Sequence, residues 1–216
     1  MDLPDFDRVR HVVWDWNGTL LDDAWLCVEV MNGLLRERGL PALDAARYQA
    51  LFGFPVRDYY LRLGFDFAKE PFEKVGTDFI VGYQARQHEC RLQAGAAAAL
   101  ARFAGRGASM SVLSASEQAR LAEQASRLGV REHFAALSGL TDHFAGGKLE
   151  NGRRVIKQLG LEPCQVLLVG DTDHDGEVAR DIGVGCVLVP SGHQSLSRLR
   201  EVGLPVAGSL DEVCAG

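Results

Sequence analysis

Apolar residues along this chain follow two different periods. Residues 9–14 read as a strand, in which Val12-Val13-Trp14 form an apolar run that ends on Asp15. Gly18 turns the chain at once, and the Thr19 hydroxyl follows. Beyond it the spacing becomes helical. Asp22 or Asp23 stands where a cap belongs, and Cys27, Met31, Leu34 and Leu35 recur on one face up to the stop at Gly39-Leu40-Pro41. Residues 42–52 predict a second helix, Gly53-Phe54-Pro55 a break, and residues 56–63 a short third helix. Pro71 opens a longer one, with Phe72, Val75, Phe79, Ile80 and Tyr83 on one face. No strand is predicted from Asp23 to about Cys90. All four tyrosines lie in that span, with six phenylalanines, enough to bury a small core of its own.

From there strand and helix alternate. Helices are predicted over residues 96–103, 116–128, 152–159 and 177–182, with two short ones at 195–202 and 210–214. Strands are predicted over residues 109–113, 134–137, 166–169 and 186–189. Such alternation means parallel pairing and right-handed crossovers. The expected fold is α/β, a doubly wound (Rossmann-like) parallel sheet. Its core would come from residues 1–22 and 91–216, and residues 23–90 would be an inserted helical subdomain.

Composition narrows the function. The 216 residues are 47% hydrophobic and 24% charged, ordinary for a globular chain. A net charge of −6 argues against nucleic acid or an anionic membrane as the main partner. Cys27, Cys90, Cys164, Cys186 and Cys214 are odd in number and widely spaced, which suits free thiols in a reducing compartment. Residues 1–10 have no apolar stretch of the signal-peptide kind, and no apolar run approaches ~18 residues. A cytoplasmic protein, monomer or homodimer, is expected.

Four strand ends carry candidate chemistry, where ligands of open α/β sheets sit. The first is Asp15 with Asn17-Gly18-Thr19, where Gly18 allows backbone N–H groups to face an anion. The second is Ser114, before a helix N-terminus that favours anions; Ser114 and Glu117 also spell a capping box. The third is Lys148, behind the loop Thr141-Asp142-His143-Phe144-Ala145-Gly146-Gly147. The fourth is Gly170-Asp171-Thr172-Asp173-His174-Asp175. Three carboxylates that close repel unless a cation compensates, and a hard divalent ion with oxygen ligands suits them. Helix capping by Asp173 or Asp175 explains one of the three.

Asp-x-Asn-Gly-Thr-Leu, a strand ending in Ser, a Lys, and a strand ending in Gly-Asp-x-x-x-Asp together resemble the haloacid dehalogenase-like (HAD) hydrolases. The likeness is to their phosphoglycolate phosphatase-like branch, whose helical cap is inserted between the first two motifs. It implies a phosphatase of a small phosphorylated metabolite that uses Mg²⁺. Asp15 would be the nucleophile. Asp15, Asp171 and the Asn17 carbonyl would hold Mg²⁺, with Asp175 in support. Ser114 and Lys148 would hold phosphate oxygens, helped by backbone N–H groups near Gly18 and Ala115. Arg57, just after the Gly53-Phe54-Pro55 break, is a candidate for substrate selection by the cap.

The sequence departs from the family at Asn17, where HAD phosphatases usually carry an Asp that protonates the leaving oxygen and then activates water. An amide cannot transfer that proton, and general acid–base help is worth about 10²–10⁴-fold. A slow phosphatase, or one specialised for good leaving groups, is expected. Phosphotransfer or mutase chemistry is a second reading, and a feeble phosphate-binding regulator a third. Asp22, Asp23 and His174 are candidates to replace the missing acid, and His193 is a candidate to touch substrate. Leu149 stands where the branch often has Pro, which only shapes the loop.

Overall fold

A computed structural model describes residues 5–140 and 147–214. The loop at 141–146, which precedes Lys148, lies outside the described residues. Seven strands occur among the described residues: β1 (His11–Trp14), β2 (Leu21–Asp22), β3 (Arg91–Leu92), β4 (Ser109–Glu117), β5 (Ala136–Leu140), β6 (Val166–Gly170) and β7 (Gly185–Leu188). Five form one parallel sheet in the order β5-β4-β1-β6-β7, with β1 in the middle. This is the expected Rossmann-like architecture. Every residue of β1 is buried, as a strand covered on both faces must be.

Alternation along the strands sorts the core into two layers. Val12, Trp14, Val112, Leu167 and Val169 face one way, against Leu100 and Phe103 of helix α5 (Ala96–Gly105) and Leu121 of α6 (Gln118–Arg127). Val13, Leu113, Val166 and Leu168 face the other. There they meet α7 (Lys148–Leu159), α8 (Asp173–Ile182) and α9 (Leu196–Glu201) through Val155, Val178 and Leu199.

Between the first two strands of the main sheet lie α1 (Ala24–Glu37), α2 (Ala45–Leu51), α3 (Val56–Leu63) and α4 (Phe72–Arg86). No strand lies among them, as the pattern predicts. The short antiparallel ribbon β2–β3 stands at their base and pairs Asp22 with Arg91; two residues per strand leave no readable alternation in the sequence. The aromatic residues do not make a separate core. Tyr48, Tyr59, Tyr60 and Tyr83 belong to one apolar cluster with Trp14 and Trp16.

Several element ends differ from the pattern. β4 runs past Ser114 to Glu117, and α6 starts at Gln118 with no side-chain cap bond. The Ser114–Glu117 capping box therefore does not form. Leu113 pairs with Ser138 and Glu117 with Leu140, so β4 bulges over 114–116. α7 and α8 each begin four residues before the predicted start, at Lys148 and Asp173.

His11 opens β1 fully buried, with Nδ1 2.7 Å from Ser109 Oγ and Nε2 2.8 Å from Ser111 Oγ. Burial pushes its pKa down from 6.5 to about 4. The unfolded chain therefore protonates it first as pH falls. The stability it holds above pH 6.5 is lost towards pH 4, by about 3 kcal/mol. Denaturant melts at pH 7.5 and 4.5 are expected to show a steeper acid loss in wild type than in His11→Gln; equal losses would refute the assignment.

Candidate active site

β1 stops at Trp14, and Asp15 is the first residue beyond it, its N–H still bonded to the Val169 carbonyl at 2.9 Å. The carboxylate thus emerges at the carboxyl end of the central strand. Asp171 follows β6 directly and is fully buried. Asp175 lies in the first turn of α8. Oxygens of Asp15, Asp171 and Asp175 lie within 4.8 Å of one another, all three side chains buried. Thr19 Oγ1 bridges two of them, 2.9 Å from Asp15 Oδ2 and 3.1 Å from Asp171 Oδ1.

Lys148 is not a solvated loop residue. It is the first residue of α7 and is buried, and its Nζ donates at 2.6 Å to both Asp15 Oδ1 and Asp175 Oδ1. The other Asp175 oxygen accepts from the Thr172 N–H at 3.0 Å and hydroxyl at 2.6 Å. Thr172 is the cap of α8 and Asp175 the reciprocal member of its capping box. Asp175 is therefore engaged at both oxygens, oriented to hold the ammonium.

One ammonium faces three carboxylates here. Burial pushes Asp15 up to about 6, against the pull of Lys148. Burial, and then repulsion from Asp15 and Asp175, drive Asp171 well above the carboxylate range. Burial also opposes the charge on Asp175, but Lys148 and the Thr172 hydroxyl outweigh it and hold its carboxyl down. Lys148 stays charged, its burial outweighed by the two carboxylates. The uncompensated charge sits on hard oxygen donors, the chemistry a Mg²⁺-sized cation requires.

Gly18 has φ +75, and a Cβ there would stand 2.3 Å from Asp171 Oδ2, so only glycine fits. Its N–H does not face an open anion site. It donates to the Leu21 carbonyl and to Asp23 Oδ1, both at 2.9 Å, because the turn into β2 has to be closed. Asn17 is half-buried, with its amide oxygen 2.7 Å from Ser116 Oγ and 3.4 Å from Ser114 Oγ. Ser114 Oγ accepts the Ser116 N–H at 3.0 Å, and Ala115 lies half-buried between them in the bulge.

Two predicted roles land elsewhere. Arg57 is exposed, its guanidinium 5.1 Å over the Phe67 ring, on the surface of the helical layer rather than with the cluster. His174 bonds Glu177 at 3.2 Å and packs against Phe54. His193, by contrast, comes fully into the site. Its N–H donates to Asp171 Oδ2 at 2.6 Å, its Nδ1 lies 2.8 Å from Tyr48 Oη, and its Nε2 lies 3.6 Å from Asp23 Oδ1. Burial lowers its pKa, partly offset by Asp23. Tyr83, on α4, donates to Asp23 Oδ2 at 2.6 Å. Tyr48, Tyr83 and Ser116 carry no motif in the sequence; Thr172 had one, the Thr-x-x-Asp capping spacing.

The haloacid dehalogenase-like hydrolase family model matches residues 12–189, and this chain belongs to that family. It is 31% identical over 197 residues to an N-acetylmuramic acid 6-phosphate phosphatase of Pseudomonas putida, covering 86% of this chain and 85% of that one. It is 26% identical over 192 residues to a phosphoglycolate phosphatase of Synechococcus elongatus, covering 85% of each. Among solved structures, a haloacid dehalogenase-like hydrolase of Streptococcus pneumoniae superposes with a TM-score of 0.82 at 18% identity, over 96% of this chain and 98% of that one. No helix among the described residues is long and apolar enough to cross a membrane.

Proposed function

We propose that this protein is a phosphomonoesterase of a small phosphorylated metabolite, acting through an aspartyl phosphate on Asp15. The observation that carries the reading is the Asp15 carboxylate itself. It is buried at the end of the central strand, held at one oxygen by Lys148 and at the other by Thr19, with Asp171 alongside. A carboxylate fixed in this way has little freedom left to lose on reaching the phosphorus. The relatives that act on sugar and glycolate phosphates support the same class of substrate.

Asp15, Asp171 and the Asn17 carbonyl would hold Mg²⁺. The ion supplies positive charge against the phosphate dianion and the developing charge of the transferring group. Asp15 attacks the phosphorus, the P–O bond to the alcohol breaks, and water later cleaves the acyl phosphate to return Asp15. Lys148 neutralises a phosphate oxygen while Asp175 fixes its position. Ser114 and the backbone at Ala115 would hold phosphate oxygens. Residues 23–90 form the cap over the site, in contact with it through Tyr48 and Tyr83.

Asn17 cannot give a proton to the departing oxygen, so esters of acidic alcohols turn over faster than those of alkyl alcohols. The same amide favours a second reading, in which the phosphoenzyme outlives attack by water and passes its phosphoryl group to an alcohol. Phosphate release from p-nitrophenyl phosphate, with Mg²⁺ and with chelator, tests the proposal. Turnover that needs Mg²⁺ is the expected result. Nitrophenol release that exceeds phosphate release when an alcohol is added would favour transfer, and no turnover under either condition would refute both.

A further inference from the structure

Asp23 is a fully buried carboxylate set against the Asn17–Gly18 turn. Its Oδ2 accepts from Asn17 Nδ2 at 2.6 Å and from the Tyr83 hydroxyl at 2.6 Å. Its Oδ1 accepts the Gly18 N–H at 2.9 Å and stands 3.6 Å from His193 Nε2. An amide has a donor end and an acceptor end, and a carboxylate can only accept. Asp23 therefore decides which way the Asn17 amide points. With Nδ2 turned to Asp23, Oδ1 must face the β4 bulge, where it receives the hydroxyls of Ser116 at 2.7 Å and Ser114 at 3.4 Å.

We infer that Asp23 is a positioning residue of this active site, which acts with Asn17 as a complementary pair. It fixes the Asn17–Gly18 turn beside the nucleophile, and through the Asn17 amide it fixes the Ser114 and Ser116 hydroxyls on the face where phosphate is proposed to bind. The inference rests on the phosphatase reading for its catalytic consequence, but not for the pairing. The chain carries an amide at 17 and a carboxylate at 23 because one acceptor and one donor are needed across that contact. Two carboxylates there repel, and two amides leave the orientation of Asn17 undetermined.

The test is a double-mutant cycle of Asn17→Asp, Asp23→Asn and the two together. In the double variant the amide introduced at position 23 donates to the carboxylate introduced at position 17 and still accepts the Gly18 N–H. The Tyr83 hydroxyl donates to that new carboxylate, and the serine hydroxyls keep an acceptor. Thermal midpoints without ligand, midpoint shifts with Mg²⁺ and orthophosphate, and kcat and KM for p-nitrophenyl phosphate are the readouts. Each single change is expected to lower the midpoint and to shrink the orthophosphate shift, and the double variant to regain most of both. Asp23→Asn is expected to lower kcat on the order of tenfold or more, with any rise in KM no larger than the loss of orthophosphate affinity, because Asp23 orients groups rather than binding substrate.

Should Asn17→Asp be too unstable to purify, recovery of a folded double variant reads the same coupling. Losses that simply add in the double variant, or a double variant less stable than either single one, would overturn the pairing. A KM that rises while kcat stays unchanged in Asp23→Asn would overturn the positioning role. A wild-type protein with no turnover but with the coupling and the orthophosphate shift intact would sink the phosphatase reading and leave the pairing standing.

Discussion

Asp15→Asn is expected to abolish Mg²⁺-dependent phosphate release, by at least about a thousandfold, while leaving the protein folded. Loss of a covalent nucleophile removes the pathway rather than trimming it. The stability expectation follows from the charges. Three carboxylates share one ammonium, and burial already holds Asp15 up at about 6. An amide at 15 relieves repulsion with Asp171, and Lys148 keeps Asp175 as a partner at 2.6 Å. The variant should melt no lower than wild type in chelator, yet gain less from added Mg²⁺, since one ligand has lost its charge. A melt well below wild type in chelator would mean that Asp15 is chiefly structural. Retained turnover would remove Asp15 as the nucleophile.

Lys148→Met is expected to cost both activity and fold. The ammonium is buried and bonded to two carboxylates that are themselves buried. Replacing it with an apolar chain of similar length leaves those charges without a cation, a loss of roughly 3–5 kcal/mol for a broken buried pair. For a chain of this size that corresponds to a fall in melting midpoint on the order of 10 °C. The fall should be smaller at pH 5 than at pH 7.5, because Asp15, already at about 6 with Lys148 beside it, then takes up a proton. A double variant with Asp175→Asn should recover part of the stability but none of the turnover. A Lys148→Met protein with the wild-type midpoint at pH 7.5 would refute the ion-pair account.

Much of this site was legible in the chain because parallel α/β sheets place their strand ends together. Once residues 9–14 and 166–169 read as buried strands, Asp15 and Asp171 had to stand at the same edge, whatever the loops did. Lys148 was legible only through the order of motifs, since a lysine after two glycines looks solvated until the fold shows α7 starting on it. The capping of α8 was half legible: Thr172 rather than Asp173 or Asp175 is the cap, and Asp175 serves the cap and the ammonium at once. Ser114 misled as a capping box because the bulge over 114–116 is set by pairing with β5, which no local pattern encodes.

The sheet, the inserted helices, the acidic strand ends and the amide at 17 can all be read along the chain. Each follows from local periodicity or from the chemistry of neighbouring residues. The orientation of that amide is set by contacts between distant parts of the chain. Asp23, Tyr83, Ser116 and Asn17 are brought together by the docking of α4 and the bulge of β4, across as many as 99 positions of chain. A hydrogen-bond direction depends on which atoms meet in space, and residues that far apart in sequence carry no local record of it.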